Sequence, residues 1–207
     1  WLAESMREAA HDGAILIEIR LGSAYGLRPG LMALFREAEA TVQAEYPTFH
    51  AEAMVTGLWP ERAGVADVTE LFEACLRARE EGLAGIDFIP EPYREEADWS
   101  RAYTWAERAG GAGLGVSAHA GEFSPANISA ALRVPGIRRI GHAVYAAHEP
   151  ELLRRVVDAG VTVECCLTSN VVLGAVPDID AHPIRALVEA GVPVTLNSDN
   201  PVRMSTS

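Results

Sequence analysis

The sequence lacks any stretch able to cross a bilayer as a helix: no apolar run approaches the roughly 18 residues that a span requires. It is also short of positive charge. Across 207 residues the formal net charge is −12, which argues against nucleic acid or an anionic membrane surface as the main partner. A small-molecule partner stays open, because the charge in one pocket can differ from that of the whole. Cysteine is scarce, with only Cys75, Cys165 and Cys166. An odd count with one adjacent pair builds no disulfide framework and fits a reducing, cytoplasmic setting. No glycine-rich phosphate fingerprint follows an apolar run, which counts against a dinucleotide-binding sheet. No low-complexity tract and no secretory signal is present. The chain opens on Trp1 in place of Met, so further sequence upstream is expected.

What is present is an ordinary globular composition, 49% hydrophobic and 22% charged, at a length that suits one domain over residues 1–207. Strand-like apolar runs alternate with amphipathic stretches throughout. Leu2, Met6, Ala9 and Ala10 open the chain at helical spacing, and His11-Asp12-Gly13 stops them. The nearly all-apolar run 14–20 reads as a strand covered on both faces. Pro29-Gly30 then opens a helix expected to turn Leu31, Leu34, Phe35, Ala38 and Val42 inward. A strand near 49–58 follows, and Asp67-Val68-Thr69-Glu70 has the form of a capping box. Further strands are expected over 83–89, 115–118, 139–144, 161–167 and 192–197. Helices are expected near 97–109, from an N-cap at Ser124-Pro125 to about 132, through 152–157, and over 182–190. The segments Val157-Asp158-Ala159-Gly160-Val161-Thr162-Val163 and Val188-Glu189-Ala190-Gly191-Val192-Pro193-Val194 share a pattern 31 residues apart, the length of one strand–helix unit. This alternation predicts a parallel α/β fold, a TIM-like (β/α)8 barrel truncated to about seven of its eight strands.

The chemistry-bearing residues gather at three strand ends. Val116-Ser117-Ala118 runs into His119-Ala120-Gly121-Glu122, Arg139-Ile140-Gly141 into His142, and Leu196-Asn197-Ser198 into Asp199-Asn200-Pro201. Barrel enzymes place their sites at the C-terminal ends of the strands. A histidine there suits a metal, and a carboxyl three residues on can serve as acid or base beside it. Plainer readings exist for each: Gly-His can simply turn the chain, Asp199 can cap a helix, and Asn200-Pro201 is turn chemistry.

Taken together and in this order, His-Ala-Gly-Glu, Gly-His and Ser-Asp-Asn-Pro resemble the adenosine deaminase family of the metal-dependent amidohydrolases. Ile17-Glu18-Ile19-Arg20, Gly85-Ile86-Asp87, the stretch Glu164-Cys165-Cys166-Leu167-Thr168-Ser169-Asn170 and His182-Pro183-Ile184 are similar to other family segments, so the resemblance covers nearly the whole chain. It implies a zinc-dependent hydrolytic deaminase of an adenosine-like or other aminopurine, with zinc bound by His119 and Asp199. Asp199 would also steer the attacking hydroxide, and His142 would hold and deprotonate the metal water. Glu122 would be a neutral acid protonating the ring nitrogen beside the amino-bearing carbon, and Asp87, Pro90 and Asn200 would lie at the substrate. The other zinc deaminase class is not matched, because Pro-Cys-x-x-Cys is absent. Cys165 and Cys166 cannot replace it together, since successive strand residues face opposite ways.

Three departures qualify this expectation. The family's His-x-His pair is absent, so two further zinc-binding histidines are expected upstream of Trp1. Pro90 stands where the family usually has a glycine that donates its N–H to the purine, and proline has no N–H to give. Asn200 replaces a second aspartate, though its amide can still donate. Glu91, next to Pro90, offers an acceptor to a hydroxyl on a different ligand. These changes leave room for a modified nucleoside such as aminodeoxyfutalosine as substrate. From another class, they leave room for a non-catalytic nucleoside- or base-binding protein with an incomplete metal site.

Overall fold

The structure, a computed structural model, describes residues 1–23, 28–64 and 67–201. Seven parallel strands form one sheet in sequence order. They are β1 (Leu16–Gly22), β2 (His50–Thr56), β3 (Gly85–Phe88), β4 (Gly115–Ala120), β5 (Ile137–His142), β6 (Thr162–Cys165) and β7 (Val194–Leu196). The connecting helices include α1 (Leu2–His11), α2 (Leu31–Gln43), α3 (Pro60–Ala63), α4 (Thr69–Ala78), α5 (Ser100–Gly111), α6 (Ile128–Ala131), α7 (Pro150–Ala159), α8 (Leu167–Val172) and α9 (Ile184–Glu189). A parallel sheet in which each strand pairs with its successor curls toward a barrel. Side-chain contacts show the curl. Arg139 on β5 donates to Glu18 on β1 at 3.0 and 2.6 Å, and Arg20 on β1 donates to Glu164 on β6 at 2.5 Å. In a flat sheet, with strands about 4.8 Å apart, these pairs would sit on the order of 20 Å from one another. The ring stays open between β1 and β7, which gives seven of the eight strands of a (β/α)8 barrel.

Alternation along each strand sorts the two faces. Ala51, Ala53 and Val55 of β2, Ile86 and Phe88 of β3, and Val116 and Ala118 of β4 join the helices in one buried core with Phe35, Phe72 and Trp105. Phe72 and Trp105 stack at 4.6 Å. The inner face is polar: Glu18, Arg20, Asp87, Ser117, Arg139 and Glu164 bond to one another across it. Every basic residue in the chain is an arginine, whose planar fork holds carboxylates through two N–H groups at once.

Several expectations are corrected. Run 14–20 is not covered on both faces. β1 is an edge strand, with Ile15 70% and Leu16 60% exposed. Leu34 is exposed too, because α2 buries Leu31, Met32, Phe35, Ala38, Glu39 and Val42, and at about 100° per residue Leu34 lies to one side of that stripe. Asp67 accepts from the Thr69 N–H and hydroxyl at 3.0 and 2.8 Å, one residue ahead of the helix cap at Val68. Ser124 is not a cap: its hydroxyl donates to the Arg94 carbonyl at 2.8 Å, and α6 starts only after Asn127. The expected strand 161–167 is cut at Cys165, and the short helix α8 follows.

Candidate active site

β4 and β5 set the geometry. Their register pairs His119 with Gly141 and Ala120 with His142. A Cβ on Gly141 would lie 3.4 Å from the His119 ring, so glycine gives the imidazole room over the neighbouring strand. Gly121 has φ +76, and a Cβ there would sit 2.5 Å from Ile128 Cδ1 and 3.1 Å from Ala143 Cα. Only glycine meets both demands, and this tight turn sets Glu122 beside His142, with Oε2 3.8 Å from Nε2. His142 (φ 69), Ala143 (φ 47) and Asp199 (φ 61) are three of the four described non-glycine residues in left-handed backbone. Such conformations cost roughly 1–3 kcal/mol each and persist where the surroundings enforce them.

Asp87 stands behind His119. It is fully buried, and Nδ1 of His119 lies 2.9 Å from its Oδ2, an ion-pair distance at which the ring N–H is not aimed squarely at the oxygen. Ser117 donates to Oδ1 at 2.6 Å, and Thr56 donates to Oδ2. Burial alone would raise the Asp87 pKa, but His119 and then Arg20 overcome it and hold the carboxyl well below the usual range. The Asp87 carboxylate is thus held by His119, Arg20, Ser117 and Thr56, directly behind the imidazole at the strand end. Glu122 moves the other way, because burial, opposed only in part by the Tyr93 hydroxyl and then by His119, raises it. Burial, and then His119, push His142 down to about 3, so this imidazole is neutral.

The loop after β3 forms the adjacent wall. Pro90 is buried there. Glu91 pairs with Arg62 at 2.9 Å, so the acceptor expected to be open to a ligand is engaged. The buried Tyr93 hydroxyl has no hydrogen-bond partner among the described residues. Burial raises its pKa and the nearby Glu122 carboxylate raises it further. The buried Asn127 amide staples this loop by donating to the carbonyls of Pro92, Tyr93 and Glu95 at 3.2, 3.2 and 2.7 Å. Its oxygen accepts from Ala97 N and Trp99 Nε1 at 3.0 and 2.9 Å.

His119, Glu122 and His142 thus meet as expected. Asp199 lies exposed at the rim, its Oδ2 accepting from Ser169 at 2.6 Å, with Asn200 exposed beside it. His142, Cys166 and Asp199 each place a potential ligand atom within 4.8 Å of the others. Cys166, Ser169, Asn170, His182, Tyr93 and Asn127 were not expected at the site, and only the Ser169-Asn170 and His182 segments carried a signal, as similarity without an assigned role. Zinc can be tested against these donors. Asp87 backs Nδ1 of His119 as a carboxylate commonly backs a metal-binding imidazole, which leaves Nε2 for a ligand. Ser169 holds one oxygen of Asp199 and leaves the other. Burial, and then Asp199, raise the Cys166 thiol above its usual range, so it stays neutral and is a poor ligand. Imidazole and carboxylate fit zinc in kind, and His119 and Asp199 would be two of the three protein ligands a catalytic zinc takes, although His119 is not in the cluster that His142, Cys166 and Asp199 form.

A curled parallel sheet with imidazoles and carboxylates gathered at its C-terminal strand ends is a β/α-barrel site. The family model for adenosine deaminase matches residues 2–207, and the chain belongs to that family. An adenine deaminase of Chelativorans sp. (strain BNC1) is 37% identical over 215 residues, covering 100% of this chain and 64% of the relative. The chain thus spans just under two thirds of that relative's length. The crystal structure of an adenine deaminase from Arthrobacter aurescens superposes with a TM-score of 0.74 at 24% identity, covering 99% of this chain and 64% of that one. An amidohydrolase from Burkhoderia ambifaria, with bound zinc, superposes at 0.76 with 18% identity, covering 100% and 58%. At those identities the two structures show a shared fold.

Proposed function

We propose that this chain carries most of the active site of a hydrolytic purine deaminase that converts adenine and water to hypoxanthine and ammonia, with a zinc ion held through His119 and Asp199. The observation that carries the reading is Glu122. It is a buried carboxyl with its pKa raised by burial, one oxygen 3.8 Å from His142 Nε2 and the Tyr93 hydroxyl beside it. A protonated acid so placed can neutralise a ring nitrogen as attack at the adjacent carbon pushes charge onto it. Bound zinc supplies a water activated at neutral pH. His142 would hold that water through its ring, and Asp199, steadied by Ser169, would orient it from the rim. Asn200 is assigned to the purine edge through its amide.

The relative's name supports adenine. The buried free cysteines support a reducing, cytoplasmic setting. No helix among the described residues is long and apolar enough to cross a membrane, and the acidic net charge supports a small-molecule partner over nucleic acid. The test is ammonia release from adenine, adenosine and aminodeoxyfutalosine by the zinc-loaded protein. Stoichiometric zinc with no ammonia from any of them would sink the catalytic reading and leave a binding protein.

A further inference from the structure

Behind His142 a line of hydrogen bonds runs away from the opening. His142 Nδ1 lies 3.1 Å from Asn170 Nδ2, and Asn170 Oδ1 lies 3.1 Å from His182 Nε2. His182 Nδ1 accepts from the Ile184 backbone N–H at 3.1 Å. All three side chains are buried. Taken singly, each link is ambiguous, because either ring nitrogen can hold the proton and the amide can be turned over. The far end removes the ambiguity. A backbone N–H can only donate, so Nδ1 of His182 presents a lone pair and its single proton is on Nε2. That N–H must meet the acceptor end of Asn170, its oxygen, which turns the amide nitrogen toward His142. Nδ1 of His142 therefore presents a lone pair as well, since a cationic ring would set N–H against N–H. The one remaining place for the His142 proton is Nε2, the nitrogen that faces Glu122.

We infer that Asn170 and His182 are positioning residues that lock His142 in the Nε2–H form, so that His142 donates a hydrogen bond into the site and takes no proton there. This revises the role expected from the sequence, removal of a proton from the attacking water, because the ring's one lone pair is occupied by Asn170. Its functional meaning rests on the deaminase reading. His142 then holds the water oxygen. The water's proton has the Glu122 carboxylate as acceptor once Glu122 has given its own proton to the ring nitrogen.

The test reads the tautomer directly. In protein labelled with ¹⁵N-histidine, long-range ¹H–¹⁵N spectra separate protonated from bare ring nitrogens, and His142→Asn identifies the His142 signals. The expected result is a protonated Nε2 and a bare Nδ1 for both His142 and His182, with and without zinc. Asn170→Asp presents a second acceptor, so His142 should gain a proton on Nδ1. The variant's kcat should fall by roughly 10- to 100-fold, the scale of supporting-shell substitutions, with KM little changed. A bare Nε2 on His142 in the wild-type protein overturns the inference even if no variant folds. An Nε2–H form in a protein that releases no ammonia overturns the deaminase reading and leaves the relay standing.

Discussion

The inner face of the sheet and the rim above it are built from the same residue types and finished differently. Inside, each carboxylate oxygen of Glu18 and Glu164 has a guanidinium partner, the arginines come from β1 and β5, and the one buried atom there without a hydrogen bond, Arg20 Nε, still faces Asp87 at 3.9 Å. At the rim no arginine forms an ion pair with Glu122 among the described residues: its carboxyl is buried with the Tyr93 hydroxyl against it, and the His119 ring N–H is poorly aimed at Asp87. Burying a carboxyl without a charge partner is costly. A fold does not gain by keeping such a group beside left-handed backbone at His142 and Ala143. The inner face is therefore read as structure and the rim as a surface shaped for something outside the chain.

The largest expected effects cross between the two regions. Glu122→Gln should lower turnover by roughly 10²–10⁴, the usual contribution of a placed acid, while keeping zinc and not lowering stability. Asp199→Ala should lose zinc along with activity. Arg20→Met should do the reverse of Glu122→Gln by destabilising the fold, by up to about 3–5 kcal/mol, because the buried Glu164 would keep only Arg139 and the buried Asp87 only His119. Ammonia release, metal analysis and urea unfolding on the three variants separate the regions. A Glu122→Gln protein as active as wild type removes Glu122 from the chemistry, and an Arg20→Met protein with an unchanged urea midpoint removes the inner network from the fold's support.

A smaller effect is the pH dependence of stability, where rim residues have opposite signs. His142 falls from 6.5 to about 3 on folding. Below pH 6.5 the unfolded chain takes up a proton that the native state refuses, so its contribution is complete above that value and is lost as pH falls toward 3. Glu122 rises from 4.5. Its contribution is complete below 4.5 and is lost as pH climbs through the raised value, because only the unfolded chain then ionises freely. Glu122→Gln should consequently gain stability over wild type at pH 7 and lose that advantage near pH 4. Urea midpoints across that range check the sign, and an advantage that grows toward acid contradicts it.

What could be read from the sequence follows the range of the forces involved. Strand order and the meeting of His119, Glu122 and His142 were legible, because period-two apolar runs and the residues closing them are local facts. The exposure of β1 was not. A run such as Ile15-Leu16-Ile17 has the same pattern whether or not a neighbour covers it, and here it is an edge. Helix α8 was hidden because the run of β6 reads on through Cys166 into Leu167, its first residue, and only six residues make up the helix. Asn127 fell inside the helix expected from Ser124, yet it precedes α6 and its amide organises the wall beside the site across some thirty residues of chain. The partners of Asp87 were not legible either, since only the folded sheet brings Ser117 and His119 against its carboxylate.

The finest difference between the two regions is a single missing donor at the rim. Pro90 is buried just after β3, at the wall beside Glu122, and it has no N–H to offer a purine nitrogen. Pro90→Gly restores that donor. One hydrogen bond of this kind is worth about 0.5–1.5 kcal/mol, or roughly a two- to tenfold change in kcat/KM. The backbone becomes freer in the unfolded state, which opposes the gain with a stability loss of about 0.4–1 kcal/mol. Adenosine should benefit more than adenine. Its ribose fixes how the ring enters, so a missing contact on one edge stays missing, whereas the smaller base can shift toward other donors. The expected outcome is poor adenosine turnover by the wild-type protein and a rise of the adenosine-to-adenine ratio in Pro90→Gly. The measurement is kcat/KM for both compounds with both zinc-loaded proteins. Wild-type turnover of adenosine near the diffusional ceiling, of order 10⁸ M⁻¹s⁻¹, would show that the absent N–H at Pro90 limits nothing.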